Sequence, residues 1–510
     1  MKTDVLITGA GPTGLALALW LTCQGISVRI IDKRAAAGTT SRALAVQART
    51  LELYRQLDLS MAAIAAGHPN PSLTLWAGGK KKSVVPLQRA AAGLTPFPFV
   101  LIYPQDEHER LLESRLAELG VTVERNTELL AFEEQPDGVD VTLRLPDGRD
   151  GHCRAAWLAG CDGASSTVRH QLQLGFPGGT YAQVFYVADI EGRGAVTHGG
   201  VHVDIEEADF VAIFSLKGEQ QMRLVGVVRD ERAQRPETLT FDDISDRAVR
   251  NLGLQVENVH WFSTYKVHHR VVDHFRHGHV FLLGDAAHVH SPAGGQGMNT
   301  GIGDAVNLAW KLAAVVRGDA PARLLDSYEH ERRAFALKLV ATTDRVFSAI
   351  TAGGYKADFI RTHIFPLVAG MAYSLGAVRR LLFRTVSQLD LAYPDSPLSA
   401  GVAGEVRGGD RLPWLARAES DNHASLSAMV WQVHVYGDAH PDLRHWCAAH
   451  HLPLHQFTWD DACHRAGLKR NALYLLRPDT YVALADRDAD VTRLADYWQD
   501  QGFRVSAAQA

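Results

Sequence analysis

Cysteine is scarce in this chain and never closely paired. Cys23, Cys153, Cys161, Cys447 and Cys463 are the only five in 510 residues, and no C-x-x-C occurs. That argues against a disulfide-built scaffold and a dithiol redox centre, and it fits a reduced, cytoplasmic compartment. Long apolar runs are absent too. No stretch reaches the roughly 18 apolar residues that a membrane helix needs, and the first apolar residues read as a strand, not as a signal peptide. The net charge is only −5, which gives no support for nucleic acid or an anionic membrane as partner. Internal repeats and low-complexity tracts are missing. What remains is an ordinary globular composition, 46% hydrophobic and 21% charged, long enough for two to four domains.

The rest of the chain is organised around the stretch 4–34, DVLITGAGPTGLALALWLTCQGISVRIIDKR. Val5, Leu6 and Ile7 read as a buried parallel strand. Gly9, Gly11 and Gly14 form a G-x-G-x-x-G, and Pro12 with Thr13 opens an apolar helix ending near Gly25. A second strand over 28–31 closes on Asp32, followed by Lys33 and Arg34. Each glycine has its own job: a tight turn at Gly9, close approach of backbone to a pyrophosphate at Gly11, and helix-on-strand packing at Gly14. The helix N-terminus offers unpaired N–H groups to phosphate. Asp32, 23 residues after Gly9, is placed to bind ribose hydroxyls. The spacing predicts a dinucleotide without deciding between FAD and NAD(P).

A helix is expected from the segment after Thr40 to about Leu57, with Arg34, Arg42 and Arg49 near the phosphate end. Residues 60–100 read as short strands and loops. Gln105 opens a helix, and 121–124 a further strand. A hairpin turning at Pro146-Asp147-Gly148 runs into Asp162-Gly163. There, Ser166 and Arg169 on the next turn suggest a functional loop. From about 181 to 266 the pattern changes to period two, as in an antiparallel sheet with one solvated face. His202, Phe214, Arg223, Val225 and Trp261 lie on its strands, and a few should face the cofactor. The chain returns with a buried strand, Gly284-Asp285, a loop of Pro292, Gly295, Gly297, Met298 and Asn299, and a helix expected to begin at Asp304. Asp285 suits a ribitol or ribose hydroxyl, and the amides of the loop suit a phosphate or ring carbonyl.

These three motifs, in this order, resemble those of the class A (single-component) flavoprotein aromatic hydroxylases: the G-x-G-x-x-G, the D-G at Asp162-Gly163, and Gly284-Asp285-Ala286-Ala287-His288 with its glycine-rich sequel. The likeness extends to about residue 395, through Ser387-Gln388-Leu389 and Tyr393, and departs at His279, where arginine is commoner. It implies FAD, with Gly9, Gly11, Pro12, Thr13, Gly14, Asp32, Lys33, Arg34, Arg42, Gln105, Asp162, Gly284, Asp285, Pro292, Gly295, Gly297, Met298 and Asn299 among its contacts. It also implies NAD(P)H as co-substrate and an aromatic, phenolic substrate hydroxylated by O2 through a flavin C4a-hydroperoxide. No catalytic side chain stands out, and the Pro292–Gly295 loop beside the flavin is the best candidate. After about Pro397 the alternation of strands and helices resembles the C-terminal thioredoxin-like domain of the phenol hydroxylase and polyketide hydroxylase branch. Without C-x-x-C, a structural or assembly role is expected for it.

The expected fold is α/β. A Rossmann-like FAD-binding domain comprises 1–72, 100–176 and 270–330, with an antiparallel substrate domain from 73–99 and 177–269. A helical segment over 331–396, suited to core or homodimer contact, leads to the thioredoxin-like domain over 397–510. The histidine groups His288/His290, His268/His269 and His450/His451/His455 have no metal-site spacing. Three rivals remain. A flavin-dependent halogenase is disfavoured because W-x-W-x-I-P is absent. A flavin epoxidase or Baeyer–Villiger-type oxygenase stays open, as does a catalytically silent flavin-bound scaffold.

Overall fold

Val5, Leu6 and Ile7 are fully buried, as an apolar run flanked by helices requires. They lie in the strand Lys2–Thr8 at the heart of a parallel sheet in the computed structural model. The structure describes residues 2–38, 43–77, 79–197, 200–205, 210–218, 220–228, 239–243, 249, 252–291, 294–351 and 376–504. Lys2–Thr8 sits between Val28–Ile31 and Asp150–Gly160, and Val280–Leu282 lies beyond the latter, all four parallel. The hairpin Glu128–Gln135/Gly138–Arg144 extends Asp150–Gly160 antiparallel at its start. Helix Pro12–Cys23 is apolar on every side and packs between this sheet and the helices Gly297–Arg317 and Gln105–Glu118. Thr8, Ile31, Gly160 and Leu282 end their strands at one edge, which is where ligands bind in open parallel sheets.

The second sheet has eight strands, built on the long neighbours Gly178–Arg193 and Gln255–Val271. Gln221–Val228, Phe210–Ser215 and Val201–Ile205 follow antiparallel, and Ser72–Ala77 with Lys80–Pro86 completes the far side. One face buries Val184, Tyr186, Ile213 and Leu224 in its own core. The other face looks toward the parallel sheet. The C-terminal sheet has six strands, with helices Pro441–Ala449 and Val491–Gln501 against it. All five cysteines are free, and the two in this unit, Cys447 and Cys463, are buried in separate apolar clusters.

Several expectations need correcting. The helix anticipated up to Leu57 starts later than expected: Ala45–Val46 is a short strand because the backbone of Ala45 pairs with Ile102, and helix Ala48–Tyr54 then passes into a tighter helical turn, Arg55–Leu57, that reaches the expected end. Residues 121–124 make a single bridge from Glu124 to Ile31, not a strand. The long helix starts at Gly297, not Asp304. Arg49 is neither at the phosphate end nor solvated. It is buried and donates to Thr480 Oγ1 at 2.6 Å, the Asp479 carbonyl and Glu52.

Arg49 belongs to a buried ionic seam that joins the C-terminal unit to the rest. Arg477 donates to both oxygens of Glu331 at 2.6 and 3.0 Å, and Lys311 Nζ reaches Glu331 Oε2 at 2.8 Å. Trp310 Nε1 donates to Asp479, and Arg411 pairs with Glu52 at 2.7 Å. Removing one partner strands the other charges, so Glu331→Ala should cost about 3–5 kcal/mol in denaturant unfolding. For Glu52, burial alone would raise the pKa, but Arg411 and Arg49 outweigh it and hold the carboxyl down to about 2. A depressed carboxyl stabilises fully above its ordinary value of 4.5 and loses that contribution as pH falls toward 2. Denaturation midpoints measured from pH 5 downward should fall less steeply in Glu52→Gln than in the wild type.

Candidate active site

The three motifs converge because each lies at the end of a central strand. Gly9 follows Lys2–Thr8, Asp162 follows Asp150–Gly160, and Gly284 follows Val280–Leu282. Between them and the second sheet lies a cavity of about 1150 Å³. Its lining falls into two sets, termed limbs: the motif residues Gly9, Gly11, Asp32, Gln105, Asp162, Asp285 and Met298 form the first, and the sheet residues Val203, Ala212, Phe214, Val225, Val227 and Tyr265 floor the second.

The three glycines do different work. Gly9 has φ +98°, and a Cβ there would lie 2.3 Å from the Cys161 carbonyl oxygen. A Cβ on Gly14 would lie 2.0 Å from the Gly9 carbonyl oxygen, so this glycine seats the helix against the strand. At Gly11 the nearest protein atom to such a Cβ is Glu109 Oε1 at 4.0 Å. The space over Gly11 is left open, at a helix N-terminus that no side chain caps. Such a cradle of free N–H groups and positive dipole suits a pyrophosphate.

Asp32 is buried and accepts from the amides of Ala10 and Arg34, each at 2.8 Å. Burial opposes its charge, but these amides and the Arg34 guanidinium hold the carboxyl below its ordinary range. Lys33, Arg34 and Thr13 also line this limb. Asp162 Oδ2 accepts from the amides of Thr167 and Val168, whereas its Oδ1 is buried without a partner. Ser166 caps the following turn by accepting from the Arg169 amide at 3.0 Å. The Arg169 side chain donates to the carbonyls of Ala164 and Ala286, tying the D-G turn to the G-D turn. Asp285 stands open to the cavity yet is surrounded by protein, and that burial pushes its carboxyl up.

Not every expected residue reaches the cavity. Gly284 lies behind it: its φ is +57°, and a Cβ there would meet Thr13 Oγ1 at 2.6 Å. Its amide donates to Asp304 Oδ2 at 3.0 Å. Asn299 is buried behind the glycine loop, accepting from Gln47 N and Thr50 Oγ1 and donating to the carbonyls of Ala45 and Gly295. It shapes the loop without facing the cavity, as Gly14 shapes the helix start. Gly295, Gly297 and Met298 do face it. Arg42 and Pro292 lie outside the described residues. On the second sheet, Phe214, Val225 and Trp261 line the cavity, but His202 is turned toward Trp76 and Arg223 pairs with Asp189 at 2.6 Å.

Sequence reading missed the glutamines. Gln47 Nε2 donates to the Gly294 carbonyl at 3.0 Å, and Gln296 Nε2 to the Val386 carbonyl at 2.7 Å. Gln388 Nε2 reaches Gln296 Oε1 at 2.6 Å, so the Ser387-Gln388 motif is the clamp that holds this loop from 92 residues away. The Ser387-Gln388 pair stands out in the sequence as a motif, but its spacing gives no sign of its partner.

A buried anion cradle, a carboxylate at the second strand end and a glycine-rich loop in one groove fit FAD laid along the first limb. The comparisons agree. The family model described as FAD binding domain matches residues 2–343. The chain is 37% identical over 439 residues to 6-methylpretetramide 4-monooxygenase of Streptomyces rimosus, covering 84% of this chain and 76% of that protein. The solved structure of an anhydrotetracycline hydroxylase from Streptomyces rimosus superposes with TM-score 0.79 at 30% identity, covering 98% of this chain and 99% of that one. An aromatic hydroxylase from angucycline biosynthesis superposes with TM-score 0.75 at 27% identity, covering 98% and 99%. Site geometry and likeness together make the chain a member of the FAD-dependent aromatic monooxygenases.

Proposed function

We propose that this enzyme hydroxylates a fused-ring phenol, with FAD in the first limb of the cavity and the aromatic ring against the sheet of the second. The observation that carries the substrate class is size. A cavity of about 1150 Å³ exceeds the roughly 1,000 Å³ upper end of single-ligand pockets, so it suits two sizeable molecules. Its floor carries a row of small apolar side chains in register, Val203 beside Ala212 and Ala212 beside Val225, flanked by the aromatic rings of Phe214 and Tyr265. Such a flat apolar surface suits a broad planar ring system, and the relatives named for tetracycline and angucycline chemistry support the same reading.

Bound FAD supplies the activation of O2 with electrons taken from NAD(P)H. The protein's part is to hold and exclude. On this reading Gly11 and the helix N-terminus receive the pyrophosphate, Asp32 a ribose, and Asp285 a ribitol hydroxyl. The glycine loop, fixed by Asn299, Gln47, Gln296 and Gln388, presents its amides where negative charge develops on the ring. Lys33, Arg34, Gln105, Asp162 and Met298 complete this set of contacts.

Two experiments test the reading. The purified protein should carry a flavin spectrum, and a polycyclic phenol should stimulate its oxidation of NADH or NADPH. No stimulation by any phenol would sink the assignment of substrate class. The two glycines should also respond in opposite ways. Gly11→Val has room for its side chain in the protein alone, so its apo melting temperature should stay near wild type while FAD affinity falls at least tenfold. Gly14→Val has no such room and should lower the melting temperature itself, by the equivalent of about 1–3 kcal/mol.

A further inference from the structure

Glu109 is a carboxylate in an unexpected place. It sits on the helix Gln105–Glu118, is only 2% exposed, and lines the cavity in company with Gly9, Gly11 and Asp32. Its Oε1 is the protein atom nearest to the open space over Gly11, 4.0 Å from where a Cβ there would lie. That space is the one that suits a pyrophosphate. A diphosphate brings two negative charges, and an ionised Glu109 would face them at close range, where burial weakens screening.

The surroundings leave that charge largely uncompensated. On its own helix, Gln105 Nε2 donates to Oε1 at 2.8 Å, while Arg110 is taken up by Asp106. Oε2 is buried without a hydrogen-bond partner among the described residues. Beyond the strand Val28–Ile31 come Asp32, Lys33 and Arg34, and Arg34 already serves Asp32 at 3.3 Å. Arg125 reaches Glu113 at 2.6 Å and Asp32 at 3.8 Å. The helix Pro12–Cys23, packed against the Glu109 helix, carries no charged side chain. Burial pushes the Glu109 carboxyl up, and Gln105, Arg34, the Gly38 amide and Arg125 pull the other way without reversing it.

We propose that FAD drives Glu109 to its neutral acid, so that the cofactor is seated with uptake of a proton and held more tightly at low pH than at high pH. This rests on the reading that places the pyrophosphate over Gly11. The proton comes from the solvent and forms an O–H bond on the carboxyl, and no other bond is made or broken. A negative neighbour disfavours the charged form of a carboxyl, so the pKa of Glu109 is higher in the complex than in the free protein. The dissociation constant then rises with pH between those two values and levels off above the higher one. Asp32, held below its ordinary range, stays ionised throughout. Asp285, His268 and His290 also line the cavity, and whatever they add survives the removal of Glu109.

The full-length protein, freed of flavin, is titrated with FAD from pH 5 to pH 9, and the dissociation constant is read from flavin fluorescence. In wild type it should rise at least tenfold across that range. Glu109→Gln, neutral and of the same shape, should lose most of that rise and bind FAD more tightly than wild type at pH 9. Calorimetry of the wild type in two buffers of different ionisation enthalpy should show net proton uptake with each FAD bound. A wild-type constant that ignores pH overturns the proposal, as does an equal rise in Glu109→Gln or the absence of proton uptake across the range. Weaker binding by Glu109→Gln than by wild type at every pH overturns it too, by making the carboxylate a favourable cofactor contact. Failure of the pyrophosphate reading would show separately, as a Gly11→Val variant that holds FAD at wild-type affinity.

Discussion

The carboxylate of Asp304 holds the site together. It is fully buried, and its two oxygens accept from three groups: the Gly284 amide at 3.0 Å, His288 Nε2 at 2.7 Å and Arg332 Nε at 2.6 Å. Burial alone would favour the protonated acid, but Arg332 and His288 hold the carboxyl below its ordinary range. The consequence is geometric. The G-D turn, the long helix Gly297–Arg317 and the helix Asp326–Thr351 are pinned to one point, and the cavity wall at Asp285 inherits that rigidity. Arg332 extends the linkage to the Tyr393 hydroxyl at 2.8 Å and the Thr300 carbonyl at 3.0 Å.

From Arg332 it is one residue to Glu331, which joins Arg477 and Lys311 in the ionic seam beneath the C-terminal sheet. The unit thus has a physical role: its Arg477, Asp479 and Thr480 brace the helices that carry the flavin limb. Arg49 couples the same unit to the segment holding Gln47 and Thr50, both of which touch Asn299. The C-terminal domain is therefore built into the frame of the site.

Much of this was legible in the sequence because the motifs are local. A glycine that must bring backbone close to phosphate, a proline at a helix start and an acid at a strand end all act within about thirty residues. Period-two alternation likewise announced the second sheet. What stayed hidden were contacts across long separations. Asn299 reads as a loop residue facing a ligand, yet its side chain is consumed by residues some 250 positions earlier. Arg49 reads as a residue of the phosphate end, yet Thr480 claims it. Asp304 reads as a helix start because acids favour that position, whereas its buried arginine partner from the next helix puts it in the second turn.

The most direct test of the account is to run the reaction under ¹⁸O2 with a polycyclic phenol and NAD(P)H, and to weigh the product. The account predicts one labelled oxygen atom in the hydroxylated ring for each NAD(P)H consumed in coupled turnover. A product whose new oxygen comes from water, or NAD(P)H oxidation that never labels any aromatic product, would contradict it.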